Sequence, residues 1–421
     1  MSMATIHLGQ RRLSDYATAV APEALAALRR LAEPLAGLRV LHLSAGPFGS
    51  ATAETLAALV PLQRDLGLLA DWQWLRGDAP RVWSALYEGL SGTSVHWGRK
   101  ERAAWHAAAE RHAAAIAPGY DVVVAHDPQA VALAQALPAA AGRPRWVWHC
   151  HLDIRRAQGD VWADVRRAIQ PYAAALFPAP ELVPRDIHIP YRGVARPALD
   201  PVAPRNLPLP SEAIAALLGR LGVDPNRPLI GQFSPIDQRY APMAALGTYW
   251  IARRDIPDLQ IVLVDPSLVP SERARRDLEQ VAQAAAGDPD IHLLTPHAGL
   301  GPTELNALER AVAVVLQLAV PCGFGWGLAE CQWKGKPAIV GRHGQLPEQV
   351  GEGASGLVAE GAPDAAAAVV RLLRDPILAQ EIGRRGHEWV ARDYLITGLV
   401  GDHLRLFRRI TASPLTAPRR W

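Results

Sequence analysis

The sequence predicts an α/β protein with two doubly wound, parallel-sheet domains that face each other across a cleft. Short apolar runs rich in β-branched residues alternate with alanine-rich amphipathic segments along most of the chain. Runs of this kind are typical of parallel strands buried on both faces, with helices between them. The alternation occurs twice, and a chain of 421 residues has room for two such domains.

The strands are placed at the apolar runs and the helices at the amphipathic segments between them. The first series of strands is predicted at 38–45, 121–126, 145–151 and 186–191, and the second at 228–234, 259–265, 291–296, 311–320 and 337–341. Helices are predicted at 51–66, 98–116, 128–138, 160–173, 241–253, 270–287 and 302–311.

A proline-rich stretch at 191–210 separates the two series. It has few periodic apolar residues, so we predict a linker there with no regular element. The tail at 376–411 is predicted to form two helices with arginine-rich outer faces, and residues 412–421 are predicted to fray.

Composition narrows the class of protein. The apolar fraction of 49% and charged fraction of 20% are ordinary for a globular chain, and no run of about 18 apolar residues predicts a membrane helix. Three cysteines and no apparent signal peptide favour a cytoplasmic, reducing location. The net charge of +3, without a long basic run, gives little support for nucleic-acid binding. Three of the 44 basic residues are lysines, so we expect those three where arginine does not fit: Lys100, Lys334 and Lys336.

Histidines stand at the ends of two predicted strands. His126 and Asp127 follow one, and His149 and His151 share one face of the next. A zinc site is one interpretation, because H-x-H presents two imidazoles, but the nearby carboxylates complete no spaced zinc signature. Histidines bonded to backbone carbonyls are a second. A cleft histidine that binds a sugar or handles a proton fits the rest of the sequence best.

Two glycine-containing turns lie between strands and helices. Gly49 and Ser50 stand in the first, where small residues let a ligand approach backbone N–H groups. The second opens a helix that carries Glu330, within residues 321–341. A carboxylate there suits the two hydroxyls of a ribose, while the alternative is a solvated helix charge.

The chain resembles the trehalose glycosyltransferring synthases of glycosyltransferase family 4. The similar stretches are LGQRRLSDY, PLQRDLGL, AHDPQ, W-x-CH-x-D, ALDP-x-x-x-RN, LQIVLV, ELNALERA and ECQWKGKP. The resemblance implies a GT-B fold of two Rossmann-like domains. The acceptor-side domain would span 1–200 and the nucleotide-sugar donor domain 201–390, with a helix at 391–421 returning to the first. It also implies transfer of glucose from a nucleoside diphosphate glucose to a sugar acceptor, with retention of configuration. The resemblance implies a homodimer. It implies no metal cofactor and no binding to nucleic acid or to a membrane.

Site residues carry over by position from this resemblance. His151 matches the histidine that faces the donor sugar, and Glu330 the glutamate that binds the ribose. The predicted catalytic residues are His151, Asp127 and His126. The predicted acceptor-binding residues are Gly49, Ser50, Gln129, Asp153 and His149. The predicted donor-binding residues are Glu330, Arg239, Ser234, Cys322, Gly323, Phe324, Gly325 and Gly344.

The donor segment departs from the family pattern. The family's S-R-F-D-P-x-K-G supplies an arginine and a lysine to the diphosphate, but Pro235 and Tyr240 stand at those positions, and Ala241 replaces the glycine. Cys322 replaces a sugar-binding glutamate, and the family's paired glycines are Gly344 and Gln345 here. Arg239 and Arg342 are the nearby cations that could compensate.

Three interpretations stay open from the sequence. The first is an active glycosyltransferase with altered donor contacts. The second is an enzyme that uses an unusual, cyclitol-type donor. The third is a non-catalytic protein that binds a sugar, a nucleotide or a partner protein.

Overall fold

A computed structural model describes residues 3–77, 79–138, 143–267, 272–296, 299–320 and 323–412. The chain divides into two compact units. The first comprises Met1–Ala198 together with Ile396–Trp421, and the second comprises Leu199–Leu395.

The first unit contains seven strands and six of its helices before the chain enters the second unit. These elements are β1 (Met3–Thr5), α1 (Pro22–Ala32), β2 (Arg39–Ser44), α2 (Ala51–Asp65), β3 (Leu69–Leu75), α3 (Pro80–Leu90), α4 (Arg99–Ala113), β4 (Val122–Ala125), α5 (Leu133–Ala136), β5 (Arg145–His149), α6 (Gly159–Ala168), β6 (Ala174–Phe177) and β7 (Tyr191–Val194). They form one sheet in the order β1-β3-β2-β4-β5-β6-β7. Only β1 is antiparallel to its neighbour among the described pairings.

The second unit is a six-stranded parallel sheet with helices. Its elements are α7 (Ser211–Arg220), β8 (Leu229–Phe233), α8 (Pro242–Ala252), β9 (Gln260–Val264), α9 (Glu272–Ala285), β10 (Ile291–Leu294), α10 (Pro302–Ala311), β11 (Val314–Gln317), α11 (Trp326–Trp333), β12 (Ala338–Gly341), α12 (Leu346–Gln349), β13 (Leu357–Ala359), α13 (Ala362–Arg374) and α14 (Pro376–Asp393). The strand order is β10-β9-β8-β11-β12-β13, which is the doubly wound order of dinucleotide-binding domains.

The last described helix, α15 (Ile396–Ala412), belongs to the first unit, where it packs on α1 and α2. Its buried side chains include Leu399, Leu404 and Phe407. The first unit is therefore completed by a helix that follows the whole of the second.

The alternation of buried residues explains why the strands are apolar on both faces. Along β9, Ile261 and Leu263 enter one core cluster, while Val262 and Val264 enter the other. Successive side chains of a strand point to opposite faces, and here helices cover both. No helix among the described residues has the length and apolar character needed to cross a membrane.

The structure confirms several predicted elements and corrects others. The helices predicted at 241–253 and 302–311 and the two in the tail agree with α8, α10, α14 and α15. The strand predicted at 186–191 is wrong, because the strand there is Tyr191–Val194. The helix predicted at 160–173 ends at Ala168, and β6 begins at Ala174.

Two further corrections concern regular elements that sequence reasoning placed differently. The helix predicted at 128–138 is reduced to a 3-10 turn and the four-residue α5. The 191–210 stretch is not free of regular structure, because it contains β7, and its Asn206 is buried. The predicted frayed tail falls on 413–421, outside the described residues.

Candidate active site

The first unit places predicted site residues at the switch point of its sheet, between the neighbouring strands β2 and β4. The chain continues from β2 towards β3 on one side, and from β4 towards β5 on the other. Oδ2 of Asp127, just after β4, accepts a hydrogen bond of 2.7 Å from the backbone N–H of Ala45, just after β2. The two strand ends are thus tied together where open α/β sheets bind ligands.

The carboxyl group of Asp127 lies in an environment that disfavours its charged form. Burial raises the pKa of Asp127 to about 6, and hydrogen bonds from the Ala45 backbone and the Thr52 side chain oppose that rise. A carboxyl group with such a pKa can exchange a proton near neutral pH. Its catalytic role stays a prediction.

Gln63 and three histidines of the first unit form a line of hydrogen bonds that ends at His151. Nε2 of His42 lies 2.9 Å from Oε1 of Gln63, and Nδ1 of His42 lies 2.9 Å from Nε2 of His126. Nδ1 of His126 lies 3.0 Å from Nε2 of His151. A neutral imidazole donates from one nitrogen and accepts at the other. With the Gln63 oxygen as the final acceptor, His42 donates to Gln63, His126 to His42 and His151 to His126.

A second histidine pair joins this group, so that five imidazoles form one cluster, in which His151 is half-buried and the other four are buried. Nδ1 of His149 lies 3.2 Å from Nε2 of His403 on α15, and the rings of His149 and His151 have centroids 4.1 Å apart. Burial lowers the pKa of His42 and of His151 to about 4. Burial and the neighbouring imidazoles lower the pKa of His126, His149 and His403 well below the usual value. The cluster is therefore neutral at pH 7.

The predicted acceptor-binding residues differ in their surroundings. Gly49, with φ of 74°, and Ser50, which caps the N-terminus of α2, are both exposed. Gln129 is half-buried beyond Asp127. Asp153 is held by the guanidinium of Arg155, at 2.6 Å between Oδ2 and Nη2. His149 is buried and faces His403, so it is the predicted acceptor residue that belongs to the histidine cluster.

In the second unit the switch point lies between β8 and β11, and Ser234 follows β8 there. Oγ of Ser234 accepts a hydrogen bond of 2.9 Å from Nε2 of Gln232. In the following turn, Nη2 and Nε of Arg239 lie 2.7 and 3.1 Å from Oδ2 of Asp237. The cation that we predicted to compensate at the diphosphate is thus engaged by a carboxylate of its own turn. Arg342 is engaged in the same way by Glu360, at the exposed surface.

Ala241 has a backbone conformation that L-residues rarely adopt. Its φ of 54° and ψ of 48° are left-handed, at the junction between this turn and α8. The resembling family has glycine at this position, which adopts such a conformation without steric cost. Alanine therefore stands here in a backbone conformation that glycine would adopt more easily.

Glu330, on α11, lies in a buried network of charges. It is 3% exposed, and Oε1 lies 2.9 Å from Nε of Arg205, a residue of the stretch predicted to be a linker. Nζ of Lys334 donates to Oε2 of Glu309 and to Oδ1 of Asn206, both at 2.7 Å. Two carboxylates and two cations are thus brought together away from water.

The network changes the acidity of Glu330. Burial raises the pKa of Glu330 to about 7; Arg205 and Lys334 oppose that rise and Glu309 adds to it. Its carboxyl group can therefore be neutral or charged near pH 7. Its predicted contact with a ribose stays a prediction.

The glycine-rich turn before α11 is stabilised by a side chain that sequence reasoning missed. Gln349 donates from Nε2 to the carbonyl of Gly325 at 2.8 Å and accepts from its N–H at 2.9 Å. Phe324 packs on the rings of Trp326 and Tyr394. Of the other predicted donor residues, Gly323 and Gly344 both have positive φ, at 90° and 62°, and Cys322 lies outside the described residues.

Comparison with known proteins identifies the family of this chain. A sequence profile of the trehalose synthase N-terminal domain matches residues 42–184. A trehalose synthase of Rubrobacter xylanophilus is 32% identical over 96% of this chain and 98% of its own length. The chain belongs to the trehalose synthase family of glycosyltransferases.

Solved structures share the fold of this trehalose synthase family member. The α,α-trehalose 6-phosphate synthase of Burkholderia multivorans has a TM-score of 0.68 and 13% identity, over 89% of this chain and 99% of its own. An Anabaena protein solved in complex with UDP and glucose has a TM-score of 0.63 and 14% identity, over 88% and 99%. The fold is GT-B, as predicted.

Three stretches that resemble the trehalose synthase family meet in the second unit. The RN of the proline-rich stretch supplies Arg205 and Asn206, ELNALERA supplies Glu309, and ECQWKGKP supplies Glu330 and Lys334. All three stretches are among those that carry the family resemblance. The sequence does not show, however, which of their residues form ion pairs with one another.

Proposed function

We propose that this chain transfers a glucosyl group from a nucleoside diphosphate glucose to a glucose acceptor, with retention of configuration and without a metal cofactor. The observation that carries the proposal is membership of the trehalose synthase family over nearly the whole chain. The placement of predicted residues at both sheet switch points supports it. So does the fold shared with the Anabaena protein that holds UDP and glucose.

The proposed reaction needs few protein groups. The acceptor hydroxyl oxygen bonds to the anomeric carbon on the side from which the nucleoside diphosphate departs. The bond between that carbon and the phosphate oxygen breaks, and the phosphate oxygen takes the hydroxyl proton. The protein orients both sugars and stabilises the departing diphosphate. In this scheme His151 contacts the donor sugar, and Glu330 binds the ribose.

The donor segment argues for a second candidate, a protein that binds a sugar or nucleotide without turnover. Pro235 and Tyr240 stand where the family has cations, and Arg239 is engaged by Asp237. Each hydrogen bond to a charged group contributes about 1.5–3 kcal/mol, so loss of two cations weakens diphosphate binding by roughly 100-fold to 10,000-fold. A cyclitol-type donor is a variant of the same idea, with the ribose site kept and the sugar contacts changed.

Calorimetric titration with UDP, ADP, GDP and dTDP, each with and without glucose, tests the proposal first. Micromolar binding of one diphosphate, followed by formation of a non-reducing disaccharide from its glucose ester, supports transfer. Binding without product in a panel of hexose and cyclitol donors supports the second candidate. Absence of binding to all four by a folded sample contradicts the proposed transfer and favours the second candidate, a protein that binds a sugar without turnover or uses a cyclitol-type donor.

The cellular location and the oligomeric state of the enzyme are also proposals. We propose that it acts in the cytoplasm and as a homodimer. Light scattering of the full chain after size exclusion measures the mass and distinguishes a dimer from a monomer of 45.4 kDa.

A further inference from the structure

We propose that His126, His149 and His151 form a binding site for a zinc ion, which would occupy the histidines that the proposed function assigns to transfer. Each of the three offers a ring nitrogen, and these nitrogens all lie within 4.8 Å of one another. Tetrahedral zinc has Zn–N bonds of about 2.0–2.1 Å, so its ligand nitrogens are about 3.3–3.4 Å apart. The pair of Nδ1 of His126 and Nε2 of His151, at 3.0 Å, is already near that spacing.

The hydrogen bond that His126 makes to His42 leaves its other ring nitrogen, Nδ1, available to the metal. Gln63 accepts from His42, and His42 in turn accepts from Nε2 of His126. The lone pair of His126 is then on Nδ1, the nitrogen that faces His151. Zinc binding requires only that the proton of His151 moves from Nε2 to its other ring nitrogen.

A similar contact supports His149. Its Nδ1 lies 3.2 Å from Nε2 of His403, and when Nδ1–H donates to that nitrogen, Nε2 is left for zinc. Histidines that bind metals almost always have their second nitrogen in such a hydrogen bond, which fixes the ring and the tautomer. Both His126 and His149 have this outer partner, and in each case it is another buried histidine.

The donor set selects the kind of ion. The three ligands are imidazoles, and the two carboxylates predicted nearby are engaged elsewhere: Asp127 accepts from the backbone of Ala45, and Asp153 pairs with Arg155. Imidazole suits Zn²⁺, Cu²⁺ and Ni²⁺, whereas Mg²⁺ and Ca²⁺ take oxygen ligands. Burial keeps the imidazoles uncharged, which is the form that binds a metal. Three protein ligands leave the fourth position of a tetrahedral ion to water.

Zinc titration of the untagged, chelator-treated full chain tests the site by calorimetry. We expect one zinc ion per chain with a sub-micromolar dissociation constant, and no binding of Mg²⁺. The variant His149→Asn removes a ligand and should weaken zinc binding by more than about 100-fold, because loss of an outer partner alone costs 10–100-fold. The variant His403→Phe removes only the outer partner and should weaken it by about 10-fold to 100-fold.

The matched control is His112→Asn. His112 is also buried, but its ring nitrogens contact the carbonyls of Ala108 and Arg76, outside the cluster. Circular dichroism checks the fold of each variant, and His151→Asn replaces His149→Asn if the latter does not fold. Absence of stoichiometric zinc binding by the wild type, or equal binding by the ligand variants, overturns the proposal. Absence of zinc binding leaves the transfer proposal unaffected, whereas zinc bound to His151 should inhibit transfer, so transfer is measured without zinc.

Discussion

Arg205 and Glu330 form an ion pair across the second unit, with Nε and Oε1 at 2.9 Å. The arginine comes from the proline-rich stretch at 191–210, and the glutamate from the helix after the glycine-rich turn. The pair fixes an irregular segment to the helix that carries the predicted ribose ligand. A segment that looks like a connector is thus part of the interior of its unit.

Removing Arg205 should leave Glu330 buried without its cation. The variant Arg205→Met should lower the free energy of unfolding by about 3 kcal/mol at pH 8, because a buried charge that loses its partner is strongly destabilising. The loss should be smaller at pH 5, where Glu330 can take a proton. Urea unfolding at both pH values measures it. Arg342→Met breaks an exposed pair with Glu360 and should change stability by less than about 1 kcal/mol.

The raised pKa of Glu330 predicts a pH dependence of stability. An acid with a pKa of about 7 in the fold and 4.5 as its ordinary value holds its proton more tightly when folded. Its contribution to stability is therefore complete below pH 4.5 and is lost as the pH rises through 7. The stability of wild type relative to Glu330→Gln should fall over this range and stay level above it. Urea unfolding at pH 4.5, 5.5, 6.5 and 8 measures this difference in stability. If the pKa of Glu330 is not raised, the stability of wild type relative to Glu330→Gln would rise or stay constant over this range.

The left-handed backbone of Ala241 predicts a stabilising substitution. Ala241→Gly relieves a steric cost of about 1–2 kcal/mol, and glycine gives back part of this through the entropy of the unfolded chain. We expect a net gain of about 0.5–1 kcal/mol in thermal or urea unfolding. Ala244→Gly, inside α8, should have the opposite sign, since glycine destabilises a helix interior. A loss of stability in Ala241→Gly would mean that the turn has a different conformation.

The buried lysine of the second unit should not tolerate arginine. Lys334 is fully buried, and its ammonium donates to Asn206 and Glu309. The larger, planar guanidinium of Lys334→Arg should cost about 1–3 kcal/mol, as other insertions into a packed interior do. Lys100 lies at the exposed start of α4, so the expectation that arginine does not fit is wrong for this lysine. Lys100→Arg is therefore the control and should be neutral. Equal stability of the two variants in urea would show that the pocket adapts to arginine.

Replacement of His151 tests its predicted contact with the donor sugar. His151→Ala should lower kcat for transfer by about 100-fold or more, because the proposed scheme places this imidazole against the donor sugar. Its melting temperature should show that the chain still folds. Steady-state kinetics with the donor identified by titration measures the effect. Turnover at the wild-type rate would remove His151 from the predicted catalytic residues.

The central strands could be predicted because local composition decides them. The apolar run at 121–126 is β4, buried on both faces, and its pattern does not depend on distant residues. β3 was missed because the polar residues Asp71 and Gln73 interrupt its apolar pattern. β6 was missed because its alanines also favour helix, and its pairing with β5 and β7 overrides that preference.

The candidate site was predicted in part for the same reason. The strand-end histidines His126, His149 and His151 stand next to recognisable strands, so their common location followed from the sheet. His403 could not be added, because it is carried by a helix near the end of the chain that only tertiary packing brings to His149. Likewise, nothing local to Arg205 indicates that its partner is Glu330.

The order of elements along the chain has a consequence for biosynthesis. Every residue of the second unit is translated between β7 and α15 of the first. A ribosome therefore exposes a continuous, self-contained second unit while the first still lacks its last helix and the His403 that α15 carries. Domains generally fold as units during synthesis, starting from the N-terminal end. In this chain the unit that is translated first is completed last, because the faces of α1 and α2 on which α15 packs stay uncovered until α15 has been translated.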